Sequence, residues 1–164
     1  MNEQQDFSYI KRNLESIRAR ADAAAAASPY GQPYELLLAT KYATADEINY
    51  AHALGVNKIG ENRVQSLLEK YDALHRDGLD IHFIGSLQKN KVKYIIDKVS
   101  MIESLDSLPL AEEIERQAAK QDKVMDCLIE VNIGREAQKG GIMPEDAADF
   151  AEKVALFPHI RLCG

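Results

Sequence analysis

Lys41 follows Leu36-Leu37-Leu38-Ala39-Thr40, five residues without a charge. A lysine at the end of a buried strand is partly desolvated, which disfavours the ammonium form. A neutral amine is the nucleophile that Schiff-base formation needs. The competing reading is a strand-end lysine whose long stem carries its charge out to water. Gly60-Glu61-Asn62 leaves a second strand. Glycine permits close backbone approach there, and Asn62 offers both a donor and an acceptor to a ring hydroxyl or carbonyl. Asn62 also suits a plain turn that caps the next helix. His82, flanked by Ile81 and Phe83, is either a working imidazole or a satisfied polar group of the core. Gly134 and Gly140-Gly141 bracket a polar loop, which suits a phosphate cradle or an ordinary surface loop. Neither GxGxxG nor a P-loop is present, and HExxH, CxxC and GxSxG are absent too.

These residues fall at the ends of an alternating pattern. Phe7 to Ala27 predicts a helix, with Phe7, Ile10, Leu14 and Ile17 on one stripe, and Pro29, Gly31 and Pro33 break it. Strands are expected at Glu35–Thr40, Val56–Gly60, Ile81–Ile84, Ser100–Glu103, Val124–Asn132 and Ile160–Cys163. Helices are expected at Ala45–Leu54, Val64–Leu74, Lys91–Lys98, Leu108–Gln121 and Pro144–Phe157. Strict β/α alternation implies a parallel sheet with right-handed crossovers. The pattern alone fits an open doubly wound sheet and a (β/α)₈ barrel equally. In both, working residues gather at the carboxyl ends of strands, where Lys41 and Asn62 fall.

The 164 residues are expected to form a single domain, 46% apolar and 28% charged, with net charge −6. That balance argues against a nucleic-acid or anionic-membrane partner but allows a local site for one phosphate. Cys127 and Cys163, with no CxxC or Cys/His cluster, suggest reduced thiols. The N-terminus lacks the basic start and apolar run of a secretory signal, so a cytoplasmic location is expected.

Leu38-Ala39-Thr40-Lys41, Ile59-Gly60-Glu61-Asn62-Arg63-Val64-Gln65 and His82-Phe83-Ile84-Gly85-Ser86-Leu87-Gln88-Lys89-Asn90-Lys91 occur in that order. Glu130-Val131-Asn132-Ile133 and Lys139-Gly140-Gly141-Ile142 follow. Together they resemble the YggS/PROSC family of pyridoxal phosphate homeostasis proteins, related to the N-terminal barrel of alanine racemase. The resemblance runs from about Phe7 to Gly164. It implies a (β/α)₈ TIM-type barrel of fold-type III, here covering about five β/α units. It implies pyridoxal 5'-phosphate as cofactor, held as a Schiff base on Lys41, with Asn62 and His82 near it. It further implies a carrier without clear catalytic activity that serves PLP-dependent apo-enzymes.

The chain departs from the family at Thr40 and Thr44, where Ser and Pro are usual, and at Ser66, where Glu is common. It also stops at Gly164, before the family's serine-rich and arginine-bearing loops that grip the phosphate and ring nitrogen. A fragment that binds the cofactor weakly or not at all is therefore expected. The alternative functions are a fold-type III amino-acid racemase or decarboxylase, and a Schiff-base aldolase. Tyr42 is expected on the opposite side of the strand from Lys41, which makes it a poor partner for racemase chemistry.

Overall fold

The computed structural model describes residues 6–164. Met1–Gln5, the start of the segment judged unlike a secretory signal, lie outside the described residues. The elements are α1 (Ser8–Ala27), β1 (Leu37–Ala39), α2 (Ala45–Ala53), β2 (Lys58–Glu61), α3 (Val64–Lys70), β3 (Asp80–Phe83), α4 (Val92–Ile95), β4 (Met101–Leu105), α5 (Leu108–Lys120), β5 (Met125–Ile129), α6 (Ala147–Val154) and β6 (Ile160–Leu162). Short 3-10 turns precede α4 and α6 and follow α3.

The strands form one six-stranded sheet in the order β1-β2-β3-β4-β5-β6, every neighbouring pair parallel. This order decides what the sequence pattern left open. A doubly wound sheet reverses its strand order at a switch point, and this sheet never reverses. Right-handed crossovers taken always in one direction place the connecting helices on one face, as in a barrel wall. Alternation then assigns the side chains. Ile59, Ile81, Phe83, Ile102, Met125, Cys127 and Ile160 point to the helices, where they pack with Ile48, Leu67, Ile95, Ile114 and Val154 in one core. Lys58, Gly60, Asp80, His82, Asp126 and Arg161 alternate with them and line the inner face.

Local chemistry explains where the elements start and stop. Thr44, where the family has proline, begins α2 with a capping box: its hydroxyl accepts from the Glu47 N–H at 3.3 Å, and the Glu47 carboxylate accepts from the Thr44 N–H at 2.7 Å. Gly55, at φ +82°, ends that helix, as its sequence position predicts. Arg18 of α1 donates to the Leu54 and Gly55 carbonyls at 2.9 and 3.0 Å, tying the first helix to the barrel wall.

Several elements are shorter than expected, three of them for a visible reason. The predicted Lys91–Lys98 helix narrows to Val92–Ile95, because Lys123 takes the carbonyls of Ile96 and Val99 at 3.0 and 2.6 Å and closes the turn. Val64–Leu74 gives way after Lys70 to a 3-10 turn over Tyr71–Ala73. The predicted Val124–Asn132 strand ends at Ile129, since Val131 bridges Ile142 instead of extending the β4 pairing.

Candidate functional site

The carboxyl ends of β1 and β2 carry different chemistry on their two sides. On the helix-facing side, Glu61 is fully buried. Its Oε1 accepts from the Thr40 hydroxyl at 2.5 Å and from the Lys70 ammonium at 2.7 Å. Lys70 also donates to the carbonyls of Thr40 at 2.9 Å and Ala43 at 3.0 Å. These two carbonyls bracket Lys41 and Tyr42, so the ammonium of α3 holds both ends of the turn that presents Lys41. The hydroxyl that Thr40 shares with the family's usual serine is one of the two donors to this carboxylate. Glu61 Oε2 has no partner among the described residues.

The turn after β1 has the opposite character. Lys41 is half-buried and has no carboxylate within salt-bridge reach among the described residues. Its amine lies 4.8 Å from the centre of the Tyr42 ring. The Tyr42 hydroxyl is held below the usual phenol value by hydrogen bonding with Lys41 and by its positive charge. The expectation that Tyr42 lies opposite Lys41 is corrected here: β1 ends at Ala39, the chain turns, and strand alternation no longer separates the two side chains.

Asn62 follows Gly60 by two residues and is half-buried, its side-chain amide without a protein partner among the described residues. Its backbone is pressed against Gly85, where an added Cβ would lie 2.1 Å from the Asn62 carbonyl oxygen. Leu37 and Ile84 close over Gly60, where an added Cβ would lie 2.7 and 2.8 Å from their methyl groups. The glycines of the two central motifs thus bring β2 and β3 together under the Lys41 and Asn62 positions.

His82 lies one pleat lower, in the row Ala39, Gly60, His82, Met101 that the strand registers define. It is 7% exposed, and its Nδ1 lies 2.6 Å from Glu103 Oε1. The flanking inner face is charged: Lys58 stands in register with Asp80, and Arg161 makes a two-pronged contact with Asp126, its nearer approach 2.5 Å. Sequence reasoning missed Glu103 and Lys70 as partners. The available signal was a carboxylate at the end of an apolar strand, which demands a buried partner.

The Gly134–Gly141 loop does not suit a phosphate cradle. Asn132 holds it shut, accepting from the Glu136 N–H at 3.2 Å and donating to the Glu136 carbonyl at 3.0 Å. The N–H groups of Arg135 and Lys139 are engaged inside the loop as well. A cavity of about 330 Å³ opens between α1, β1 and α2, lined by Tyr9, Leu38, Tyr42 and Ile48 but not by Lys41, Asn62 or His82. Among the described residues no group of three His, Cys, Asp or Glu side chains suits a metal ion, and no helix is long and apolar enough to cross a membrane.

Six parallel strands in sequential order, with their helices on one face, make part of a β/α barrel wall. The chain belongs to the alanine racemase N-terminal domain family, whose profile matches residues 6–164. Within it, the relatives named pyridoxal phosphate homeostasis protein stand near this chain. The one from Aquifex aeolicus is 45% identical over 79% of this chain and 57% of its own length. The one from Pseudomonas aeruginosa is 34% identical over 96% of this chain and 69% of its own length. This chain therefore spans between just over half and about two thirds of the relatives it matches. PipY of Synechococcus elongatus, solved with PLP bound, superposes with a TM-score of 0.77 at 27% identity, covering 94% of this chain and 68% of PipY. A protein of unknown function from Bifidobacterium adolescentis superposes with a TM-score of 0.82 at 34% identity, over 96% of this chain and 67% of its own.

Proposed function

We propose that this chain is the part of a pyridoxal phosphate homeostasis protein that supplies the covalent anchor for the cofactor. Lys41 is the anchor, forming a Schiff base with pyridoxal 5'-phosphate. Asn62 faces the cofactor with its free amide, and His82 lies beneath it on the inner face. The observation that carries this reading is the contrast at the end of β1. Lys70 is spent on a carboxylate and two carbonyls, while Lys41, on the cofactor side, meets no carboxylate among the described residues and neighbours only the exposed Tyr42 phenol. The likeness to PLP-bound PipY and to the homeostasis proteins supports the choice of ligand.

The residues fit the group. The amine is held by a fixed turn, the floor is apolar where Leu37 and Ile84 meet over Gly60, and Gly85 allows close strand approach. When bound, pyridoxal phosphate supplies an electron sink for amino-acid chemistry. The chain's own residues bind and orient it. The single domain spanning 1–164 is read as the lysine-bearing portion of that barrel. Its partners are the small-molecule cofactor and PLP-dependent apo-enzymes, to which the whole protein hands the cofactor. The free thiols Cys127 and Cys163 accord with a cytoplasmic location.

The test is spectroscopic. Because weak binding is expected of this chain, pyridoxal phosphate is supplied in large excess; the imine absorbance band is then expected, and Lys41→Ala is expected to lose it while keeping its far-UV circular dichroism. A band of equal strength in Lys41→Ala rejects the assignment.

A further inference from the structure

The concave side of the sheet holds an imidazole with only one of its nitrogens in use. His82 Nδ1 lies 2.6 Å from Glu103 Oε1, while Nε2 makes no hydrogen bond among the described residues. Three other charges on this face are paired: Asp126 engages Arg161 through both oxygens, and Lys58 pairs with Glu35. Lys58 also feels the charges of Asp80 and Glu103. The His52 ring differs instructively. Both its nitrogens are engaged, by the Val56 and Asp77 carbonyls at 2.9 and 3.0 Å, and it is a structural cross-link. His82 is half-satisfied on the face where the ligand would lie.

An ionised carboxylate only accepts, so the 2.6 Å contact requires the proton on His82 Nδ1. In the neutral ring Nε2 then carries the lone pair. We propose that Glu103 is a positioning residue: it fixes His82 as the Nδ1–H form and makes Nε2 a hydrogen-bond acceptor for an N–H or O–H donor of the bound small molecule. The acceptor role toward pyridoxal phosphate rests on the reading above; the tautomer does not. This assigns His82 a direction and gives Glu103, at the β4 position beside it, a part in the site. A carboxylate that sets which ring nitrogen is free is the same arrangement that orients histidines in metal and acyl-transfer sites.

The experiment is nitrogen-15 NMR of the imidazole rings of the whole chain at mildly alkaline pH, where an ordinary imidazole is neutral. The His82 signals are identified by their loss in His82→Gln. The expected wild-type pattern is a protonated Nδ1 and a lone pair on Nε2. Glu103→Leu is expected to reverse it, and Glu103→Gln, whose amide oxygen accepts the same bond, to restore it. Glu103→Ala serves if the leucine variant does not fold. Adding pyridoxal phosphate is expected to move the Nε2 signal in wild type and in Glu103→Gln but not in Glu103→Leu. A wild-type ring protonated at Nε2, or an Nδ1–H form that survives Glu103→Leu, overturns the proposal. So does a cofactor trapped on Lys41 that leaves Nε2 unmoved. If no cofactor reaches Lys41, the cofactor reading fails by itself, and the tautomers of wild type and Glu103→Leu still decide the role of Glu103.

Discussion

The two sides of the β1 and β2 strand ends carry the same kinds of group and use them in opposite ways. Toward the helices, a lysine, a carboxylate and a hydroxyl bind one another and two backbone carbonyls at 2.5 to 3.0 Å, with Glu61 fully buried. On the other side, Lys41 meets the Tyr42 phenol but no carboxylate, and the Asn62 amide has no protein partner among the described residues. A buried ion pair adds little net stability over an apolar replacement, yet breaking it is costly. What the Glu61–Lys70 pair contributes is a fixed turn, and the turn is where Lys41 sits. Rigidity is built on one side so that reactivity can be left on the other.

The largest effect that this contrast predicts is on the helix-facing side. Glu61→Ala leaves the Lys70 ammonium buried without its counter-charge and is expected to destabilise the fold by ~3–5 kcal/mol, read as a shift of the urea midpoint. A change near zero would show that the clamp does not hold the strand ends. Next, Gly85→Ala drives a methyl group into the Asn62 backbone, which cannot yield as a flexible side chain does. A loss of ~1–3 kcal/mol is expected, the usual range for overpacking. Thr44→Ala removes the capping hydroxyl of α2 and is expected to cost ~1 kcal/mol. The smallest effect belongs to the inner side. Lys41→Ala and Asn62→Ala should change stability by less than ~0.5 kcal/mol while removing cofactor absorbance. A large stability loss from Lys41→Ala would erase the contrast.

The same two-sidedness recurs at the other edge of the sheet, in the thiols. Cys127 faces the helices, and burial pushes its thiol up to about 12, first by desolvation and then by the charge of Asp126. Cys163 is exposed. A native-state alkylation at neutral pH is expected to label Cys163 alone, with Cys127 reacting only after unfolding. Equal labelling would contradict the placement of the core.

Much of this was legible in the sequence. Apolar runs separated by amphipathic segments located all six strands, and the ordered motifs located Lys41, Asn62 and His82 at or near strand ends. The strand order was not legible in the alternation itself, which is the same in a barrel and a doubly wound sheet; the family resemblance pointed to the barrel, and the pairing agrees with it. The clamp was not legible either. Thr40, Glu61 and Lys70 are brought together across 9 to 30 residues, by registers that no local pattern encodes. Glu103 finds His82 from 21 residues away for the same reason. Helix and strand ends failed where a tertiary partner intervened: Lys123 on the last turn after α4, and Ile142 on Val131.

The most direct test of the division between a clamping lysine and a free one is reduction with borohydride in the presence of excess pyridoxal phosphate, followed by peptide mapping. The account predicts a pyridoxyl adduct on Lys41 and an unmodified Lys70. An adduct on Lys70, Lys89 or Lys91 with Lys41 unmodified would contradict it.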